Sequence, residues 1–266
     1  MKKLFAILVT AILAVTACFG LTACGDSDYN AIKEKGYFVC GITIYEPMSY
    51  TNDDGEMTGF DTDFANAVAD YLGLEAKFQV ITWSKNFVEL NAGSIDVIWN
   101  GFTVTEERKQ NCDFSYSYMN NSQCIIVKTA DLANYTTAES FANKKGVAEA
   151  GSAGETYAKT LVGETGTVIG SGSQTSALTD LLSGQSDFAV IDVLMADSMV
   201  GKGDYTNLSK VTAVAPEAEE YAIGFRQGSD FTEKVNEAIK ALSANGTLEK
   251  IAKKYGLENS LVKNFD

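Results

Sequence analysis

A glycine, a threonine two residues on and an arginine five further, Gly101, Thr103 and Arg108, form the spacing in this chain most suited to gripping an anion. The arginine offers a planar fork of donors that meets a carboxylate in two parallel hydrogen bonds. The glycine lets the backbone approach a ligand closely, the threonine brings a hydroxyl, and Asn100 can hydrogen-bond a polar ligand group. Such a set suits a small molecule held by its charged main-chain groups, as a free amino acid would be. The flanks supply the elements that must position it. Residues 95–98 are apolar with β-branched members, which predicts a buried strand; Asn100-Gly101 breaks it into a turn, and a short helix starts near Thr105. Each residue also has an ordinary reading: an arginine after two glutamates is a solvated surface residue, and Asn-Gly is a common turn without a ligand.

Composition narrows the chemistry. Histidine is absent from all 266 residues, which removes the usual general base and the commonest metal ligand, so neither a metal nor a cofactor is expected. The formal charge is -14, with 21 basic against 35 acidic residues. Such a surface repels phosphate backbones and excludes nucleic acid as a partner. At 45% hydrophobic residues the chain can bury a real core, as one large domain or two ordinary ones, and its two prolines, Pro47 and Pro216, build no Pro-rich linker.

The first residues read as an address. Met1-Lys2-Lys3 is a positive start, a mainly apolar stretch follows through Ala23, and Leu21-Thr22-Ala23-Cys24-Gly25 places small residues before a cysteine. This resembles the lipobox of bacterial lipoproteins, which implies a signal peptide over 1–23, a diacylated Cys24 and a lipid anchor with polar tether over 24–36. Two acyl chains hold a protein stably to a membrane where one does not. Of the remaining thiols, Cys40, Cys112 and Cys124, two could pair in an exported protein, but none has metal-knuckle or redox spacing, and buried free thiols are the expected state.

Beyond the tether, strand and helix patterns alternate. Residues 37–43 predict a strand running into Tyr45; Asp61 and Asp63 sit in the first turn of a helix carrying Phe64, Val68, Tyr71 and Leu72, where the helix dipole favours acids. A strand over 76–81 leads to Trp83 and a further helix. Residues 146–149 form a strand before a helix start at Ser152 and Ala153, whose free N–H groups suit an anion. The strand 187–191 ends at Asp192, which could equally cap the helix after it. Two amphipathic helices close the chain. In such α/β folds, ligands bind beyond the carboxyl ends of the strands.

Gly59-Phe60-Asp61-Thr62-Asp63-Phe64, then Val68-Ala69 and Leu72, resembles the signature of the polar-amino-acid solute-binding proteins of ATP-driven (ABC) importers, and the similarity runs from about Gly36 to the C-terminus. The resemblance implies an α/β, two-lobed type II periplasmic-binding fold. Lobe 1 would comprise residues 37–122 and 227–266 and lobe 2 residues 123–226, joined by two crossover hinge strands expected at 123–128 and 221–226. It also implies ligand contacts at Tyr45 and Trp83, a carboxylate grip by Gly101, Thr103 and Arg108 with the helix start at Ser152 and Ala153, and an ammonium site at Asp192. One departure is Phe114-Ser115-Tyr116-Ser117-Tyr118, where the family often has Phe-Ser-Asp-Pro-Tyr.

The expected protein is a monomeric binding lipoprotein on the outer face of the cell membrane, delivering a free amino acid to an ABC permease without bond chemistry. Two other readings stay open: a dehydratase on the same fold, with Glu149 or Glu155 as general acid, and a subunit presenting ligand to a sensor. Ile42 stands where relatives that bind basic amino acids often carry an acid, which argues against such a ligand; Glu46, Glu89 and Glu149 argue the other way.

Overall fold

The structure, a computed structural model, describes residues 27–214 and 218–265, so the expected signal peptide and Cys24 lie outside the described residues. Helix α1 (Asp28–Lys35) leads to β1 (Tyr37–Ile42), the hairpin of β2 (Tyr50–Thr51) and β3 (Met57–Thr58), α2 (Phe60–Leu72) and β4 (Glu75–Val80). A 3₁₀ turn at Trp83–Lys85 precedes α3 (Asn86–Asn91), β5 (Val97–Ile98), α4 (Glu106–Lys109) and β6 (Asp113–Phe114). Strand β7 (Met119–Asn121) crosses to β8 (Gln123–Lys128), β9 (Lys145–Glu149), α5 (Ala153–Val162), β10 (Thr167–Ser171), α6 (Gln174–Ser183), β11 (Phe188–Asp192), α7 (Val193–Met199) and β12 (Leu208–Val211). The chain returns through β13 (Glu219–Tyr221) to β14 (Gly224–Phe225) and ends in α8 (Phe231–Ala244) and α9 (Thr247–Lys254).

Each lobe is built on a five-stranded sheet, ordered β4-β1-β5-β14-β6 in the first and β10-β9-β11-β8-β12 in the second. In both, three strands run parallel and a strand arriving from the other lobe adds antiparallel: β14 beside β5, and β8 beside β11. The crossing itself is the antiparallel pair β7 and β13. The expected hinge strands, 123–128 and 221–226, adjoin this ribbon: only Ser122 separates β7 from β8, and Tyr221 ends β13. Residues 124–127 are apolar and buried, so they suit the interior of a sheet, whereas polar Asn120 and Asn121 lie in the ribbon between the lobes.

The expected tether is corrected in part. Residues 28–35 are helical, capped by the Ser27 hydroxyl at one end and by Gly36 in the left-handed conformation at the other. The helix buries Ile32, stacks Tyr29 on Phe231 and sets Asp28 2.9 Å from Arg226, which fastens it to the C-terminal part of lobe 1. Helix α2 buries Phe60, Phe64 and Val68, while Tyr71, expected on that face, is exposed. Phe64 meets Trp99 edge-on at 5.1 Å and Tyr118 at 5.4 Å, so the start of α2 packs directly behind the turn that follows β5. Cys40, Cys112 and Cys124 are buried free thiols.

Gly59 sets where α2 begins. Its φ of +122° lies in a region that other residues rarely adopt, and a Cβ there would drive into the carbonyl of Met48. The same loop holds the helix start, with Phe60 N–H donating to Pro47 O and Asp61 N–H to Met48 O, each at 2.8 Å. Gly59→Ala is expected to destabilise the protein by about 2–4 kcal/mol through combined backbone strain and overpacking. Urea denaturation measures this, and a parental midpoint would mean that the loop yields freely.

Candidate functional site

The carboxyl ends of the parallel strands in both sheets face one narrow cleft. From lobe 1 it is lined by Thr43 and Tyr45 after β1, Trp83 after β4, and Asn100, Gly101, Thr103 and Arg108 after β5. Lobe 2 contributes Gln123 from β8, Glu149 at the end of β9, Ser152 and Ala153 after it, Gln174 at the start of α6, and Asp192 at the end of β11. All nine residues expected at a ligand site therefore line one cavity.

The turn at 100–103 is tightly fixed. Gly101 has φ +59°, and a Cβ on it would stand 2.7 Å from the Tyr45 ring and 3.1 Å from Tyr221. Its N–H donates to Asp61 Oδ2 at 2.7 Å. Asp61 is thus more than an acid favoured by a helix dipole: fully buried, it anchors the turn, and burial pushes its carboxyl up to about 7. Asn100 donates from Nδ2 to the carbonyl and hydroxyl oxygens of Thr43, at 2.9 and 3.2 Å.

Arg108 is not a solvated surface arginine. Only 8% exposed, it lies over the Phe102 ring at 4.5 Å and donates through Nη1 to Thr103 O at 2.8 Å and through Nη2 to Gly151 O at 3.3 Å. The first bond is local and aims the side chain; the second reaches the other lobe. Two of its five N–H donors are so engaged, leaving a face of the fork for an anion. Burial draws its pKa below the ordinary value, against the pull of Glu219 and Asp192. Thr103 contributes differently from the expectation, since its hydroxyl donates to Glu219 Oε1 at 3.3 Å and its carbonyl orients Arg108.

Across the cleft, Ser152 caps α5 by accepting from the Glu155 N–H at 3.0 Å. The N–H groups that open a helix have no carbonyl one turn back to bond, so those at Ala153 and the next residue are available to an anion. Asp192 precedes α7 but makes no side-chain cap bond to it. Its carboxylate instead accepts from Asn121 Nδ2 at 2.8 Å, Gln123 Nε2 at 2.7 Å and Gln174 Nε2. Gln174 completes the clamp by accepting the Asp192 N–H at 2.8 Å. Burial raises the pKa of Asp192, opposed by the hydrogen bonds from these amides.

Sequence reasoning missed the partners. Asn121 and Gln123 also donate to Glu219 Oε1, at 2.6 and 2.8 Å, so two side-chain amides bridge two carboxylates. Tyr45 shares a 2.9 Å hydrogen bond with Tyr221. The available signal was polar residues beside or within apolar strands, at 121, 123 and 219, but only the pairing of β7 with β13 brings Asn121 opposite Glu219. Among the described residues there is no cluster suited to a metal ion.

The family model for "Bacterial extracellular solute-binding proteins, family 3" matches residues 38–258. The chain is 30% identical over 249 residues to the L-cystine-binding protein TcyJ of Escherichia coli (strain K12), covering 92% of each chain. It is 30% identical over 248 residues to the arginine-binding extracellular protein ArtP of Bacillus subtilis (strain 168), covering 92% of this chain and 96% of that one. In structure it resembles an ABC uptake transporter substrate-binding protein of Streptococcus pneumoniae with bound histidine, with TM-score 0.80, 29% identity and coverage of 90% and 99%.

Besides Asp192, three acids are pushed up in the folded chain. Burial pushes Asp61 up to about 7; burial and the charge of Asp192 push Glu219 up to about 7 and Glu149 up to about 8. Unfolded carboxyls release their protons near pH 4. Between these values the folded chain holds protons that the unfolded chain has lost, so the contribution of these three groups to stability is fully present at low pH and falls as pH rises towards about 8. The ligand-free protein should therefore melt at a higher temperature at pH 5 than at pH 8, and Glu149→Gln should flatten the slope. Thermal unfolding across that range tests it; a melting temperature that rises from pH 5 to pH 8 would contradict it.

Proposed function

The chain belongs to the bacterial extracellular solute-binding proteins, family 3, and on that premise we propose that it is the substrate-binding lipoprotein of an amino-acid ABC importer. It captures a free amino acid between its lobes and delivers it to the permease. One observation supports this most: a buried cation, Arg108, and a buried carboxylate on the other lobe, Asp192, face the same cleft. That is the charge pattern of an α-amino acid, inverted.

In this reading the α-carboxylate lies against the free face of Arg108 and the N–H groups at the start of α5, near Ser152 and Ala153. The α-ammonium goes to Asp192, which its three amide partners hold in place with both oxygens turned from α7. Gly101 brings backbone close to the ligand, Asn100 and Thr103 furnish polar groups around it, and Tyr45 and Trp83 pack against its aliphatic part. Binding and release leave every covalent bond of the ligand intact. Closure draws the lobes together along the β7–β13 ribbon, and the closed form is the one that the permease reads. Cys24 carries the acyl chains that hold the protein, as a monomer, on the outer face of the membrane.

Losing one partner of a buried ion pair typically costs roughly 3–5 kcal/mol, or about two to four orders of magnitude in affinity. Arg108→Ala should thus nearly abolish amino-acid binding with the fold intact. Arg108→Lys should restore little, because an ammonium cannot reproduce the fork, and Asp192→Asn should act similarly at the other end. Calorimetric titration decides it, and near-parental affinity in Arg108→Ala would refute the assignment. For the anchor, Cys24→Ser should move the protein from the membrane fraction to the soluble one. A variant that stays with the membranes would exclude lipidation as the attachment.

A further inference from the structure

The cleft contains more acidic groups than the two ends of an amino acid can engage. Arg108 faces three carboxyls, the buried Asp192 and Glu149 and the half-buried Glu219. A bound amino acid adds a carboxylate opposite Arg108 and an ammonium opposite Asp192, which leaves Glu219 and Glu149. The first of these is well supplied with donors, from Asn121, Gln123 and Thr103. Glu149 is not. It is 2% exposed, lies beside the Thr43 side chain, and has no partner at Oε1.

A second unmet atom accompanies it. Asn100, also 2% exposed, spends Nδ2 on Thr43 and has no partner at Oδ1. Thr43, bonded to Asn100 within lobe 1, also lies beside Glu149 of lobe 2, and with Glu149 ionised both orphaned atoms in this corner of the cleft are acceptors. Buried acceptors without donors are costly and rare, so an occupant that supplies N–H groups is favoured there. A neutral amide would supply donors but would also bring a carbonyl, and it could not draw Glu149 to its charged form. A cation satisfies both needs.

Resting on the amino-acid reading above, we propose that Glu149 and Asn100 form a subsite for a cationic, N–H-donating group at the far end of the ligand, the guanidinium or ammonium of a basic side chain or the second ammonium of a diamino diacid. The absence of an acid at Ile42 does not oppose this, because Ile42 is wholly buried and the required acid comes from lobe 2 instead.

The test is calorimetric titration of the ligand-stripped protein with L-arginine, L-lysine and L-cystine, and with L-citrulline and L-norleucine as neutral counterparts of the first two. Arginine or lysine is expected to bind roughly 100-fold or more tighter than its neutral counterpart, as befits a buried charge pair. Tight binding of cystine alone would assign the subsite to a second α-ammonium. Glu149→Gln, near-isosteric and checked by thermal unfolding, should lower affinity for the cationic ligand by a similar factor and leave that for citrulline or norleucine within about tenfold. Should that variant not fold, the discrimination shown by the unaltered protein decides alone. Neutral counterparts that bind as tightly as the cations, or an undiminished preference in folded Glu149→Gln, would overturn the subsite and leave amino-acid binding standing. Failure of every ligand, including the remaining common amino acids, would overturn the proposed function itself.

Discussion

A single buried guanidinium set among buried carboxyls is the constraint on which this structure depends. Arg108 is nearly inaccessible, yet its neighbours Asp192 and Glu219 come from the end of a strand in one lobe and from the ribbon between lobes. Placing such groups out of water is unfavourable unless each finds partners, and partial satisfaction is worse than none. The chain meets this with amides. Asn121 and Gln123 each donate to both Asp192 and Glu219, and Gln174 grips Asp192 through its carboxylate and its N–H. Neutral donors stabilise the acids while leaving the cation free to face a ligand.

The fold makes this arrangement two-sided. Because β14 and β8 each arrive from the opposite lobe, the carboxyl ends of both parallel strand sets open towards the β7–β13 ribbon. Contacts then bridge the cleft: Arg108 donates to Gly151 O at 3.3 Å, and Ser198 on α7 donates to Glu46 at 3.1 Å. The approach is close enough that a Cβ on Gly151 would stand 2.7 Å from Ser84 Cα. Tyr221, in the returning strand, bonds Tyr45 and crowds Gly101, so the ribbon itself touches the ligand-facing turn. Displacement of one lobe would therefore disturb the site on the other.

Legibility in the sequence followed the range of each interaction. The alternation of strands and helices was plain because apolar periodicity is local, and residues at strand ends such as Arg108, Gly101 and Asp192 stood out by type and place. What could not be read was pairing. Asp192 before a helix is an ordinary cap by sequence, and only the absence of a cap bond and the three amide bonds show where its carboxylate points. Asp61 had a sufficient local explanation in the helix dipole, which concealed its bond to Gly101, 40 residues away. The hinge is subject to the same limit: an apolar run such as 124–127 resembles any buried strand, and whether it crosses between lobes or lies within a sheet depends on its neighbours.

Glu149 shows how the two kinds of information combine. By sequence it was one of several acids that could approach the pocket, beside Glu46 and Glu89, with nothing to rank them. Geometry separates them: Glu46 is engaged by Ser198 at the rim, whereas Glu149 lies sealed at the end of β9 with an acceptor unmet. A carboxyl pushed up to about 8 can remain protonated in the closed cleft at neutral pH, which removes most of the penalty of burying it there. A cationic ligand would reverse that, drawing the group to its charged form and exchanging a bound proton for its own charge. The acid that a neutral cleft can tolerate is then the same acid that a basic ligand would require.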